Sequence, residues 1–91
     1  MISETKSSCL KRLSRIEGQV RGVARMIEAD RYCIDIVTQV SAIRAALAKV
    51  EDAVIKDHVA HCVEHAIMSG DQAQQRLKVT ELVDTLSRMG R

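Results

Sequence analysis

No proline, phenylalanine or tryptophan occurs in the 91 residues, and Tyr32 is the only aromatic side chain. Without proline, no helix is forced to break. Without aromatics there is no platform on which nucleic-acid bases could stack. The core must then come from Ala, Val, Ile, Leu and Met, each of which buries less area than an aromatic ring. No apolar run approaches the roughly 18 residues of a membrane-spanning helix. Cys9, Cys33 and Cys62 are too few, and odd in number, for a disulfide framework. No charged-then-apolar signal region opens the chain. These absences predict a soluble, cytoplasmic protein, in which cysteines serve as metal ligands, redox thiols or core residues. Enzyme constellations are missing too. There is no phosphate loop, no nucleophile elbow and no pair of inward carboxylates. A helical chain without large loops leaves little room for a small-molecule substrate. The expectation is a protein that is not an enzyme.

The length allows one domain, residues 1–91. A domain of this size buries only about 60–65% of the surface of its unfolded chain. Oligomerisation or bound metal commonly makes up such a shortfall. Net charge is only +2, but it is unevenly spread. Residues 1–25 hold Lys6, Lys11, Arg12, Arg15, Arg21 and Arg25 against Glu4 and Glu17. The basic character therefore sits at the N-terminal end.

Apolar spacing of three and four predicts three helices. The first, from about residue 5 to 28, carries Leu10, Leu13, Ile16, Val20, Val23 and Ile27. The second, from about 32 to 69, carries Ile36, Val40, Ile43, Leu47, Val50, Val54 and Val59, with many alanines. Gly70 is placed to cap its C-terminus. The third, from about 73 to 89, carries Leu77, Leu82, Val83 and Leu86. The middle helix decides the architecture. At 1.5 Å per residue it spans roughly 55 Å, against a radius of gyration of about 12 Å for a compact chain of this length. It must overhang its own subunit, and an antiparallel copy of itself is the simplest cover. The expected fold is all-α: three helices per subunit, an antiparallel four-helix-bundle dimer, and further pairing into a tetramer.

On the first helix, Leu13, Ile16, Val20, Val23 and Ile27 share an arc of about 80°, and Lys11, Arg15, Arg21 and Arg25 share about 120° opposite them. Gly18 and Gly22 lie within that basic face, beside Ser14. Each glycine costs a helix about 1 kcal/mol relative to alanine. Two readings fit. The bare surface lets a DNA phosphate chain approach among the arginines, or the face is solvated and the glycines admit a neighbouring helix. No helix-turn-helix or zinc-finger spacing is present.

His58 and Cys62 stand four apart, so an imidazole nitrogen and a thiolate can converge on one ion. Cys33 is 29 residues from Cys62, about 43 Å along a continuous helix. One chain cannot bring them together. In an antiparallel dimer, Cys33 of one copy would face His58 and Cys62 of the other, and symmetry makes two such sites. Two thiolates and one imidazole suit Cu(I). Zn(II) would want a fourth ligand, for which His61, His65, Glu64 or water are available. The bland alternative is a buried thiol and a solvated histidine. His61 points about 80° or more away from the site, which favours a solvent role. Cys9 has no partner in sequence and reads as non-functional.

The segment Arg12-Leu13-Ser14-Arg15-Ile16-Glu17-Gly18-Gln19-Val20-Arg21-Gly22 resembles the first-helix signature of the CsoR/RcnR family of metal-sensing repressors. Asp30-Arg31-Tyr32-Cys33-Ile34-Asp35-Ile36, Gln39-Val40-Ser41-Ala42, His58-Val59-Ala60-His61-Cys62 and Ser69-Gly70-Asp71 extend the likeness in order. The resemblance implies a Cu(I)-responsive repressor of homodimers paired into tetramers. Its apo form binds operator DNA and lets go when one Cu(I) per subunit is bound. Cys33, His58 and Cys62 match the copper-sensing branch. Nickel and cobalt sensors tend to carry histidine in place of Cys62, the formaldehyde-sensing branch lacks the second thiol, and the persulfide-sensing branch lacks the histidine. Tyr32 and Glu81 match positions that form a hydrogen-bonded shell around the ligand histidine in copper sensors. Arg15 and its neighbours Lys11, Arg12, Gly18, Arg21, Gly22 and Arg25 match the DNA-contacting face. The alternatives are a persulfide or thiol-redox sensor, a Ni, Co or Zn sensor of the same fold, and a copper buffer or chaperone that never touches DNA.

Overall fold

The computed structural model describes residues 1–89, which hold no strand. Gly90 and Arg91, which the single-domain expectation includes, lie outside the described residues. Helix α1 spans Ser3–Glu28 and α2 spans Cys33–Asp57. A wide, π-helical turn over His58–Val63 follows, then α3, Glu64–Met68, and α4, Gln72–Met89. Helical conformation is therefore unbroken from Cys33 to Met68, as a chain without proline permits. The three expected helical segments are present, with ends shifted by a few residues. The uniform α-helix expected for the middle segment is corrected at His58–Val63. There the Glu64 N–H reaches back five residues to the Val59 carbonyl, the signature of a π turn.

The chain forms two compact units, Met1–Ile55 and the part from Lys56 onward. In the first, Cys9 and Ile16 of α1 are buried and Val23 is half-covered. These residues are seven apart and so share one helix face. Ala42, Ala45 and Ala46 of α2 line a cleft together with Ile16. The rest of the α1 stripe is uncovered: Val20 is 51% and Ile27 58% exposed. Ile34, Val37, Val40 and Leu47 of α2 are exposed as well. A fully buried side chain of this kind contributes about 1.5–3 kcal/mol, so much of the apolar stabilisation this sequence could supply is unused in a single copy.

The end of α1 is set by its capping pattern. Asp30 takes a left-handed φ of 54°. Its N–H donates to the Ile27 carbonyl, and the Arg31 N–H donates to the Met26 carbonyl. This is the Schellman arrangement, usually built on glycine. The chain then turns at Tyr32, whose carbonyl accepts the N–H groups of Asp35 and Ile36 and so starts α2.

In the second unit, Val63 and Ala66 are buried. Helix α4 packs on the wide turn and on α3, and its half-covered residues Gln75, Lys78, Leu82 and Thr85 recur at helical spacing. Between α3 and α4, Gly70 has φ 74°, as its capping position requires. Asp71 Oδ1 accepts the N–H groups of Ala73 and Gln74 at 3.0 and 3.2 Å and caps α4. The Gln75 amide closes the turn by donating to the Ile67 carbonyl. Among the described residues, no helix is long and apolar enough to cross a membrane.

Candidate functional site

Helix α1 carries Lys11, Arg15, Arg21 and Arg25 on the face opposite its buried residues, as its periodicity dictates, whereas Arg12 stands one turn before Ile16 on the buried side. Lys11, Arg12, Arg15, Arg21 and Arg25 are all exposed. Arg21 reaches Glu17 at 3.5 Å, one turn back, with both side chains well solvated, so the pair contributes little to stability. Gly18 and Gly22 are half-covered, yet a Cβ built on either would meet no described atom within 4 Å beyond its own helix. No neighbouring helix of the described chain therefore uses their bareness. Arg12, Arg15, Ile16 and Gln19 also line a cleft of about 330 Å³, with Ala42, Ala45, Ala46 and Lys49 of α2 as the other wall. Lys49, a cation of α2, joins this cleft, which the charge pattern of α1 alone does not reveal. The alanines at 42, 45 and 46 followed by a cation at 49 make one helix face, and that pattern was the available signal.

The sulfur and imidazole donors are arranged differently. Cys33 is the first residue of α2, placed there by the Tyr32 carbonyl, and it is exposed. Tyr32 is itself 68% exposed. His58 and Cys62 both belong to the wide turn, with His58 half-covered and Cys62 exposed. In an α-helix position i+4 overshoots a full turn by about 40°. In a turn closed i→i+5 it falls short instead. His58 and Cys62 thus keep to one side of the helix in either case, but their relative direction differs from the α-helical expectation. All three cysteines are free, and Cys9 is buried in the first unit. Among the described residues of one chain, no three His, Cys, Asp or Glu side chains come together as a metal site.

Around the turn, two further groups are engaged. His61 Nδ1 lies 3.0 Å from the Asp57 carbonyl oxygen and 3.6 Å from the Asp57 carboxylate. Asp57 is only 7% exposed. His61 thus contacts its own helix while its side chain stays exposed, as expected from its direction. Glu81, on α4, has its carboxylate 3.7 Å from Lys78 Nζ.

Comparison with known proteins bears on what this arrangement serves. The family model described as "Metal-sensitive transcriptional repressor" matches residues 5–88. The copper-sensing transcriptional repressor CsoR of Bacillus subtilis (strain 168) is 46% identical over 86 residues, covering 94% of this chain and 82% of the relative. The copper-sensing transcriptional repressor RicR of Mycobacterium tuberculosis is 50% identical over 68 residues, covering 75% and 71%. Among solved structures, the copper-sensing repressor CsoR with Cu(I) from Geobacillus thermodenitrificans NG80-2 superposes with a TM-score of 0.89 at 43% identity, covering all of this chain and 92% of that one. Similarity that extends over nearly the whole chain in both sequence and fold places this protein in the metal-sensitive transcriptional repressor family.

Proposed function

We infer that this chain is a cytoplasmic, Cu(I)-responsive repressor, with residues 1–91 acting as one sensing and DNA-binding domain. The observation that carries the reading is the donor set: two exposed free thiols, Cys33 and Cys62, and the imidazole of His58. Soft sulfur donors in low number suit Cu(I). The relatives named for copper sensing support the same ion. One described chain assembles no three-donor cluster, which agrees with a site shared between copies. Cys33 of one subunit and His58 and Cys62 of its partner would hold one Cu(I) per subunit. Held by these residues, the metal would link one subunit to its partner. Tyr32 and Glu81 would steady the ligand histidine, Glu81 exchanging its Lys78 pairing for that role.

A homodimer, paired into a tetramer, is the assembly that would cover the apolar residues left exposed on α1 and α2. Operator DNA would lie against Lys11, Arg12, Arg15, Arg21 and Arg25, its phosphates reaching the bare surface at Gly18 and Gly22. Lys49 extends this surface into the cleft beside Arg12 and Arg15. Effector binding weakens DNA affinity only if the metal is held more tightly by free protein than by the DNA-bound form.

The test is an anaerobic Cu(I) titration against a competing chelator, run beside a mobility-shift assay on the operator. The expected result is one Cu(I) per subunit with loss of DNA binding in step. Copper binding that survives removal of both Cys33 and Cys62 would sink the ligand assignment. A protein that shifts no DNA at any salt concentration would be a buffer or chaperone instead. Sensing that needs no His58 and cross-links Cys33 to Cys62 would point to persulfide or redox sensing.

A further inference from the structure

We propose that His61 is a positioning residue: its ring holds the wide turn that aims His58 and Cys62. The inference deepens the copper-site reading and rests on it for its metal arm alone. In an unbroken α-helix the Asp57 carbonyl accepts the main-chain N–H of the residue four positions on. That residue is His61, and here its own Nδ1 stands 3.0 Å from the Asp57 oxygen. A carbonyl only accepts, so Nδ1 carries the proton, and in the neutral ring Nε2 carries none. The same nitrogen lies 3.6 Å from the Asp57 carboxylate, whose side chain is 5% exposed. The ring thus holds the main chain of the residue immediately before His58, with that residue's carboxylate nearby. The contact sits where α2 gives way to the wide turn, whose first residue is His58.

Turns closed i→i+5 are rare and cluster at functional sites. Occupying the carbonyl at the mouth of such a turn with a side-chain donor offsets the weaker main-chain bonding there. The angle between the His58 and Cys62 directions depends on whether this segment is α or π. A group that favours the π form therefore sets how two donors from one helix present themselves, without itself touching the ion. This separates His61 from a fourth ligand, which would act through Nε2. It also separates it from a histidine free of its own helix, which would not hold the Asp57 carbonyl.

The discriminating variants are His61→Ala, which removes the ring, and His61→Asn, whose amide nitrogen can stand in place of Nδ1 but offers no ligand nitrogen. The apo protein is read first, by 15N spectroscopy of the imidazoles and by hydrogen exchange of the amides at 59–64. The expected result is an Nδ1–H tautomer for His61 in the wild type. Exchange over the turn should be faster in His61→Ala and near wild type in His61→Asn. Anaerobic Cu(I) titration with a competing chelator follows. His61→Ala should lose about 10–100-fold in affinity, the usual effect of removing a group that orients a ligand, and His61→Asn should recover most of it. An Nε2–H tautomer, unchanged exchange in His61→Ala, or wild-type copper affinity in that variant overturns the proposal. So does His61→Asn binding as weakly as His61→Ala, which would make His61 a ligand. A wild type that takes up no Cu(I) defeats the copper reading instead, and the tautomer and exchange measurements then decide the role of His61 alone.

Discussion

The two compact units place their reactive side chains by opposite means. In the first, α1 is a regular helix, and its 100° step alone sorts Lys11, Arg15, Arg21 and Arg25 to one face and Cys9, Ile16 and Val23 to the other. On the proposed reading its glycines and arginines work by being displayed. In the second, His58 and Cys62 sit in a departure from regular helix, bounded by side-chain contacts from His61 to Asp57. Display tolerates small errors of angle, because phosphates are met by long, flexible cations. Coordination does not, because thiolate and imidazole must converge on one ion within a few tenths of an ångström. Regular helix suffices for the first task, whereas the second draws on a locally specified turn.

The sharpest break between the units is a crossed pair of variants. Cys62→Ala should reduce Cu(I) affinity by more than about 100-fold, beyond what loss of an orienting group does, while leaving apo DNA binding near wild type. Arg15→Ala should do the reverse, keeping copper affinity and lowering the slope of log affinity against log salt by about one for each phosphate it no longer neutralises. Chelator titration and salt-dependent mobility shift measure the two. If either variant damages both functions equally, the division of labour fails.

Gly22→Ala tests display more finely. The open space around it predicts a helix more stable by up to about 1 kcal/mol in chemical denaturation. DNA affinity should fall if a phosphate chain uses the bare surface. A variant that is more stable and binds DNA as before would leave the glycine without that role. Lys49→Ala should lower the salt slope as Arg15→Ala does, by less if the cleft only borders the DNA.

The smallest effects concern the turns that frame each unit. Asp71→Ala removes the cap of α4 and should cost about 1 kcal/mol of stability. Asp30→Gly relieves a left-handed aspartate and should stabilise by about 0.5–1 kcal/mol. Thermal or urea unfolding reads both. Neither should alter the stoichiometry of Cu(I), since both act on turn geometry and neither supplies a proposed ligand.

The periodic features were legible in the residues. The apolar stripe and basic face of α1, the long helix after Tyr32 and the cap at Gly70 all follow from spacing that repeats every three to four positions, and Gly70 stands with the expected left-handed φ. The donor types were legible as well, since sulfur and imidazole chemistry depends on residue identity. What spacing did not reveal was Lys49, the wide turn and the grip of His61 on Asp57. Lys49 enters the basic cleft only because the fold sets its face of α2, with Ala42, Ala45 and Ala46, opposite Arg12 and Arg15 of α1. The wide turn begins beside a carbonyl that the His61 side chain also reaches. One-dimensional period counts assume the helix they are meant to find. Which helix forms at His58–Val63 depends on hydrogen bonds between particular atoms, and those exist only once the chain has folded.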